Sequence, residues 1–207
     1  MAKKPYLVGV TGGSASGKTH FLKSLKQKFT PQQVCFISQD DYYKPLEQQK
    51  KDSNDEVNFD LPEAIELSKF HDDLDALSRG ETIKKMSYNF NNPSEEKELM
   101  DFSPTPIIII EGLFIFYYQN IFDMLDLKLF IDADDDVKFQ RRMKRDVDER
   151  GIAPDMVTYQ WYNHVKPAFQ KYLAPYKELA DVVIKNNVHF NNSLAMVENH
   201  FKALLSE

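Results

Sequence analysis

The segment Gly12–Thr19 constrains the fold more than any other part of this chain of 207 residues. It reads Gly-Gly-Ser-Ala-Ser-Gly-Lys-Thr and fits the pattern G-x-x-x-x-G-K-[ST] at every defined position. The segment before it, Tyr6–Val10, is apolar and strand-like. After it, one face of a helical pattern carries Phe21, Leu22 and Leu25. A strand, a glycine-rich turn and a helix in this order predict an α/β domain in which the helix N-terminus binds phosphate.

The apolar segments along the chain predict a doubly wound, five-stranded parallel sheet with helices on both faces, a P-loop NTPase fold. Four further segments have the composition of buried strands: Val34–Ile37, Ile107–Ile110, Leu127–Ile131 and Asp181–Ile184. Helical periodicity covers Pro62–Leu77 and the ranges 135–149, 154–177 and 191–205. Segments Thr82–Phe90 and Lys97–Phe102 predict a small β-hairpin insertion. We expect one domain over residues 1–207, with a mobile polar loop at Gln48–Glu56.

Composition argues against several classes of protein. A formal net charge of −6 and a pI near 5.4 disfavour a nucleic-acid binder, whose affinity would come from clustered Lys and Arg. The longest apolar stretch, Ile107–Tyr118, is interrupted by Glu111 and is too short to span a bilayer, so no membrane association is expected. The only cysteine, Cys35, lies in an apolar segment and is interpreted as a buried strand residue. With no signal peptide pattern at the N-terminus, the expected location is the cytoplasm.

The residue types of the phosphate loop, Gly12–Thr19, match the groups of ATP. Its glycines let successive backbone N–H groups turn toward phosphate oxygens. Lys18 supplies a mobile charge for the β- and γ-phosphates, and Thr19 offers a hydroxyl to Mg²⁺. We therefore predict ATP and Mg²⁺ as cofactors. The predicted ATP-binding residues of the loop are Gly12, Gly13, Ser14, Ala15, Ser16, Gly17, Lys18 and Thr19.

Carboxylates follow two of the predicted strands. Glu111 comes directly after the isoleucine strand, at the sheet edge where it can hold Mg²⁺ or its water shell, although a helix cap or a surface acid is the alternative. Asp40 and Asp41 end the second strand, where a carboxylate can accept the proton of an acceptor hydroxyl and contact the metal; a simple turn is the alternative. The chain has no Asn-Lys-x-Asp guanine motif, and Glu111-Gly112 is not the Asp-x-x-Gly of a GTPase switch. These features favour a kinase.

An arginine-rich helix follows the fourth predicted strand. Arg142, Arg145 and Asp146 share one face at helical spacing, and Arg150 lies about one turn beyond. Guanidinium groups that close over a triphosphate neutralise charge in the transition state. We predict an arginine-rich lid over residues 141–155, with a solvent-exposed charged helix as the alternative.

These motifs make the chain similar to the uridine–cytidine kinases, within the wider phosphoribulokinase/uridine kinase family. The similarity runs from about Tyr6 to Ile184. Besides the phosphate loop, it rests on Ser38–Tyr43, Asn58–Pro62, Tyr88–Phe90, Ile110–Gly112, Arg141–Gly151, Val165–Phe169 and Ala180–Ile184. The resemblance implies transfer of the γ-phosphate of ATP to the 5′-hydroxyl of a ribonucleoside, uridine or cytidine first. It also implies a homotetramer and a hairpin, here residues 82–102, that closes over the nucleoside.

The resemblance also implies roles for matching residues. Asp40 is the expected general base, with Lys18 and Arg145 as the other catalytic groups, and Arg145 and Arg150 are the lid arginines that bind ATP. The expected substrate-binding residues are Tyr43, Phe59, Asp60, Tyr88, Phe90, Arg142 and Gln160. The expected metal ligands are Thr19, Glu111 and Asp40.

An Asp–Arg pair suits a vicinal diol, because Asp accepts both hydroxyl hydrogens while Arg donates to the oxygens. This chemistry agrees with the resemblance, which implies that Asp60 and Arg142 hold the ribose hydroxyls, with Gln160 near the sugar. The alternatives are that Asp60 caps a helix and that the aromatic residues are ordinary core.

Two positions depart from the pattern of the uridine–cytidine kinases. Pro93 stands where they usually have a His or Tyr that reads the pyrimidine, and Ile152 stands where they have an arginine. Both positions belong to base recognition, although Asn91 or Asn92 can replace one contact. A kinase for another riboside or sugar-type alcohol, and a non-catalytic ATP-binding regulatory protein, stay open as alternatives.

Overall fold

The computed structural model describes residues 4–87 and 98–206 of the chain. Five parallel strands form one sheet in the order β2-β5-β1-β6-β7, and β3 pairs with β4 in an antiparallel hairpin. The strands are β1 (Tyr6–Thr11), β2 (Val34–Ser38), β3 (Ile83–Met86), β4 (Leu99–Phe102), β5 (Ile107–Glu111), β6 (Leu127–Asp132) and β7 (Val182–Lys185). The predicted α/β fold class is confirmed.

Helices pack on both faces of this sheet. They are α1 (Lys18–Lys26), α2 (Leu67–Ser78), α3 (Gln119–Phe122), α4 (Asp135–Asp148), α5 (Pro154–Gln160), α6 (Lys166–Ala168) and α7 (Asn191–Ser206). Short 3₁₀ turns cover Gln39–Tyr42, Leu46–Gln48, Pro62–Ala64 and Ala174–Leu179. The turns at Trp161–Val165 and Phe169–Leu173 are π-helical, so the helical region predicted over 154–177 is present but changes its winding.

The isoleucine strand lies between β1 and β2 and is buried on both faces. Ile108 and Ile110 pack with Phe70 on one side of the sheet, and Ile107 and Ile109 pack on the other side. This two-sided burial explains an unbroken apolar run instead of the alternation of a half-exposed strand. The three strands are in register at their carboxyl ends, because Val10 and Ser38 both pair with Glu111. Parallel strands therefore deliver three loops to one edge, where ligands of such sheets bind.

The single helix predicted over Pro62–Leu77 is wrong at its start. Residues Pro62–Ala64 form a 3₁₀ turn, Ile65 is extended, and the α-helix begins only at Leu67. The N–H of Glu66 donates to the carbonyl of Tyr42 at 2.8 Å, so this backbone pairs with the chain after β2. Tertiary pairing has overridden the helical period of the sequence.

The hairpin insertion is described only at its base. Ile83 pairs with Phe102 and Met86 with Leu99, as the sequence predicts. The predicted tip, with Tyr88, Phe90 and Pro93, lies outside the described residues.

Two further features bear on the sequence expectations. Cys35 is buried in β2, and this burial raises the pKa of its thiol to about 11. Within residues 4–87 and 98–206, no helix has the length and apolar character needed to cross a membrane.

Candidate active site

A cleft of about 550 Å³ opens at the carboxyl edge of the sheet. It gathers most of the residues that the sequence singled out, from four separate parts of the chain. These are Ser14, Ala15, Gly17, Lys18, Thr19, Asp40, Tyr43, Phe59, Asp60, Glu111, Arg142, Arg145, Arg150 and Gln160. Three other residues of the phosphate loop, Gly12, Gly13 and Ser16, are buried beneath it. The other two candidates, Tyr88 and Phe90, lie outside the described residues.

The phosphate loop owes its shape to residues that sequence reasoning did not identify. Gly17 has a φ of +101°, and a side chain there would collide with the amide nitrogen of Asn186. That amide donates to the carbonyl of Ser16 at 2.9 Å, and Arg141 donates to the carbonyl of Asn186 at 2.9 Å. The loop is therefore fastened to the residue that follows β7 and to the arginine-rich helix α4. Its required glycine was predictable from the motif, but its fastening was not.

Lys18 closes back on the loop in this structure. Its ammonium donates to the carbonyls of Gly12 and Gly13 at 2.7 and 3.3 Å. Burial lowers the pKa of the Lys18 ammonium, while Glu111 and Asp40 oppose that change. The ammonium is thus held beside the loop by weak acceptors that a phosphate oxygen can replace.

Two carboxylates face this loop across the cleft. Asp40 lies on the 3₁₀ turn after β2 and is reached from the cleft, and Glu111 is half-buried at the end of β5. The hydroxyl of Ser38 donates to Glu111 at 2.6 Å. Desolvation by the surrounding protein raises the pKa of Asp40, and Lys18 opposes the rise. Burial, then the neighbouring charge of Asp40, raises the pKa of Glu111 to about 7.

A buried carboxylate whose pKa is raised by a neighbouring carboxylate marks a place where a cation is favourable. Thr19 lines the same cleft, so the three predicted metal ligands are brought together. Within the described ranges, no group of three or more His, Cys, Asp or Glu side chains forms a complete metal centre. This donor set fits Mg²⁺, which commonly takes one or two carboxylates and completes its shell with phosphate oxygens and water.

The arginine-rich helix places an excess of positive charge over the cleft. Asp146 is fully buried, and its carboxylate accepts from Arg145 at 2.7 Å and lies 3.3 Å from Arg150. Arg142 forms a third ion pair with it at 3.1 Å. Burial, then the adjacent charge of Arg145, lowers the pKa of Arg150. Three guanidinium groups share one carboxylate, so the cluster needs further negative charge, as a triphosphate would provide.

The Arg142 side chain joins the phosphate loop to the far side of the cleft. It donates to the hydroxyl of Ser14 at 2.9 Å and to the amide oxygen of Gln160 at 3.1 Å. With only 8% of its surface exposed, it does not fit the alternative of a solvated charged helix. Arg142 therefore lies between the phosphate loop and the side of the cleft where a phosphate acceptor would bind.

Asp60 and two aromatic rings form the acceptor side. Asp60 is buried, and its N–H donates to the side chain of Asn58 at 2.9 Å. The 3₁₀ turn that follows has Leu61 at its N-cap with no side-chain hydrogen bond, so Asp60 does not have the capping role considered from the sequence. Tyr43 and Phe59 meet edge to face, with ring centroids 5.9 Å apart. The rings belong both to the cleft wall and to the edge of the core.

Four further residues line the cleft without having been assigned roles from the sequence: His20, Val57, Leu113 and His164. Arg141, predicted only as part of the lid, lines it as well. Ile152, noted as a departure from the family pattern, lines it too. The position of His164 in the cleft could not be predicted from the sequence, because π-helical turns in this long helical region change which residues face inward.

A second cavity of about 310 Å³ adjoins the phosphate loop. Gly17, His20 and Arg141 line both this cavity and the main cleft, whereas Asn186 and Phe190 line only this cavity. Its lining includes the apolar side chains of Val188, Phe190 and Leu194 and none of the acceptor-side residues.

Comparison with known proteins gives a consistent result. The sequence model of the Phosphoribulokinase / Uridine kinase family matches residues 7–191. A uridine kinase of Leuconostoc citreum is 34% identical over 209 residues, with 100% of both chains covered. Uridine-cytidine kinase B of Dictyostelium discoideum is 34% identical over 206 residues, covering 100% of this chain and 85% of that protein.

Solved structures agree on the fold. A possible uridine kinase from Bacillus stearothermophilus aligns with a TM-score of 0.60 at 18% identity, covering 88% of this chain and 90% of that one. Phosphoribulokinase from Rhodobacter spheroides aligns with a TM-score of 0.67 at 18% identity, covering 89% of this chain and 71% of that one. At 18% identity these structural matches support the fold alone, and the substrate has to be inferred from the residues of the site.

Proposed function

The chain belongs to the phosphoribulokinase and uridine kinase family, and we propose that it transfers the γ-phosphate of ATP to the 5′-hydroxyl of uridine or cytidine. One observation carries the proposal: the phosphate loop, the Asp40 carboxylate and the arginine cluster line a single cleft. Relatives that align over this whole chain are named uridine kinases. The protein is accordingly a nucleoside kinase.

The donor triphosphate lies on the phosphate loop in this proposal. The N–H groups at the start of α1 bind its oxygens, and Lys18 exchanges the loop carbonyls for the β- and γ-phosphates. Arg145 and Arg150 close over the transferred group, whose negative charge balances the positive charge that Asp146 alone leaves uncompensated. The cavity beside Asn186 has the position and lining for the donor base.

Magnesium is the metal we propose. Thr19, Glu111 and Asp40 would hold it together with phosphate oxygens, and its charge would stabilise the triphosphate during transfer. The raised pKa of Glu111 supports this site, since a cation beside it restores the ionised carboxylate.

Asp40 is the general base on the acceptor hydroxyl. Its raised pKa makes it a better proton acceptor than an ordinary aspartate, and it lines the cleft, where the 5′-hydroxyl has to lie. Asp60 and Arg142 hold the ribose hydroxyls, with Gln160 bonded to Arg142 at 3.1 Å. Tyr43 and Phe59 line the wall beside the nucleoside in this proposal. By family resemblance we further propose that the hairpin at 82–102, with Tyr88 and Phe90, closes over it. This arrangement favours a riboside over a simple sugar alcohol.

The family resemblance extends the proposal to assembly and location. We propose a homotetramer that acts in the cytoplasm. The buried thiol of Cys35 is compatible with a reducing compartment.

The test is a coupled assay of ADP release with uridine, cytidine, purine ribosides, nicotinamide riboside and 2′-deoxyuridine. We expect the highest kcat/KM for uridine or cytidine and at least about a tenfold preference for uridine over 2′-deoxyuridine, because a site built for a hydroxyl leaves polar groups unpaired without it. A Pro93→His, Ile152→Arg double variant measures how much the two departures weaken base selectivity. A higher kcat/KM for another riboside would show that this riboside, and not uridine or cytidine, is the substrate. No ADP release with any acceptor would support the regulatory alternative.

A further inference from the structure

A polar cluster next to the cleft has no part in the chemistry described so far. It consists of Asp52, Tyr159 and His164. One oxygen of the Asp52 carboxylate accepts from the hydroxyl of Tyr159 and contacts Nε2 of His164, both at 2.6 Å. The other oxygen accepts the backbone N–H groups of Asn54 and Glu56 at 2.8 and 3.1 Å. Hydrogen bonds from Tyr159, then from His164, hold the pKa of Asp52 well below its usual range.

This cluster holds the polar segment that the sequence suggested to be mobile. The N–H of Asp52 donates to the carbonyl of Glu56 at 2.8 Å, and the N–H of Asn58 donates to that of Lys50 at 2.8 Å. The segment forms a closed turn that Asp52 fastens to the helical region of Tyr159 and His164. Because the same turn leads into Phe59 and Asp60, the fastening also sets one wall of the acceptor side.

The contact with Asp52 identifies which nitrogen of the His164 ring donates to the carboxylate. An ionised carboxylate can only accept, so Nε2 must carry the hydrogen of this bond. The neutral ring then has its acceptor lone pair at Nδ1. Across residues 4–87 and 98–206, nothing in the structure hydrogen-bonds to Nδ1. The Asp52 contact fixes the orientation of this cleft-lining ring, so its Nδ1 is available to accept from a ligand that supplies a donor.

The position of His164 matches the far end of a nucleoside. His164 is 2% exposed, lines the cleft, and follows Gln160 by about one helical turn. Gln160 is the partner of Arg142, one of the two proposed ribose ligands. A ribose held there with its 5′-hydroxyl toward Asp40 directs its base away from the phosphates, along the wall that contains Val57 and His164.

We infer that His164, oriented by Asp52, is a base-recognition residue whose Nδ1 accepts a hydrogen bond from the nucleobase. The matching donors are the N3–H of uracil and the 4-amino group of cytosine. This inference rests on the proposed function. It assigns a polar base contact to a chain in which Pro93 and Ile152 supply none.

Two substitutions at His164 separate its proposed contact with the nucleobase from its hydrogen bond to Asp52. Gln places its amide near the position of Nε2, so His164→Gln keeps a donor to Asp52 and removes the acceptor at Nδ1. Asn places its amide near Nδ1, so His164→Asn keeps an acceptor there and removes the bond to Asp52. Tyr159→Phe is the matched control, because it removes another hydrogen bond from the same carboxylate and Tyr159 does not line the cleft.

The experiment measures KM and kcat for uridine, 3-methyluridine and ATP, together with Tm, in all four proteins. We expect His164→Gln to lower kcat/KM for uridine about tenfold, mainly through the uridine KM, with the ATP KM and Tm nearly unchanged. Its preference for uridine over 3-methyluridine, which lacks the N3–H, should fall toward one. His164→Asn should keep part of that preference at a lower Tm. Tyr159→Phe should lower Tm and keep the preference.

Two results would overturn the inference while leaving the proposed function intact. One is uridine turnover by His164→Gln with the parental KM and preference. The other is an equal loss of preference in Tyr159→Phe, which would give the cluster a purely structural role. If the unaltered protein turns over neither uridine nor cytidine, the proposed function fails, and this inference fails with it.

Discussion

Replacing Glu111 with Gln is expected to make the ligand-free protein more stable at alkaline pH. The fold raises the pKa of Glu111 from an ordinary 4.5 to about 7, through burial and the charge of Asp40. Such a carboxyl stabilises the folded state fully below pH 4.5, and that contribution is lost as pH rises through about 7. The difference between the two pKa values corresponds to about 3 kcal/mol at pH 8. Gln keeps an oxygen for the hydroxyl of Ser38 but carries no charge.

The assay is thermal unfolding of the ligand-free protein at pH 5 and pH 8. For a chain of this size, about 3 kcal/mol corresponds to a gain in Tm of roughly 6–12 °C at pH 8, with a much smaller gain at pH 5. Glu47→Gln is the control, because Glu47 is exposed, and it should leave Tm unchanged at both values. The stabilised Glu111→Gln variant should also lose at least about 100-fold in kcat, because the carboxylate is needed beside the phosphates. If Glu111→Gln is no more stable than the parent at pH 8, burial and the charge of Asp40 do not destabilise the ionised Glu111 carboxylate.

Three other substitutions test separate parts of the site. Lys18→Ala should lower kcat by orders of magnitude in the ADP-release assay, since its charge acts on the transferred phosphate, and near-normal turnover would contradict the loop assignment. Asp40→Asn should lower kcat at least about 100-fold with little change in the ATP KM, whereas Asp41→Asn should be mild; the reverse order would misplace the base by one residue. Gly17→Ala should abolish nucleotide binding measured by calorimetry, because Gly17 combines a φ of +101° with a collision against Asn186. Gly80→Ala is its control: with a φ of +88° and open space around it, only about 1 kcal/mol of stability and normal binding are expected.

The fold was predictable where sequence pattern and tertiary structure point the same way. The isoleucine run of β5 could only be satisfied by burial on both faces, and the glycines at 12 and 17 fit only a loop with unusual backbone angles. The helix expected from Pro62 failed because hydrogen bonds to the chain after β2 replace those of its first turns. No local pattern encodes a partner 24 residues away.

The candidate site also has residues that could be predicted from the sequence and contacts that could not. Motif residues such as Lys18 and Glu111 could be placed together because parallel strands align their carboxyl ends. The fastening of the loop by Asn186 and the contact between Asp52 and His164 were not predictable, since they join groups 170 and 112 residues apart in the chain. In the second case the π-helical winding after Gln160 also changes which side chains face the cleft.

Identification of the product formed from uridine tests the central claim most directly. The unaltered protein is incubated with Mg²⁺, ATP and uridine, and the products are resolved by ³¹P NMR, with 5′-deoxyuridine in a parallel reaction. The account predicts uridine 5′-monophosphate and ADP in equal amounts, and no nucleotide product from 5′-deoxyuridine, which lacks the hydroxyl that Asp40 has to deprotonate. Phosphate on the 2′- or 3′-oxygen, or ADP release that is the same with and without uridine, would contradict it.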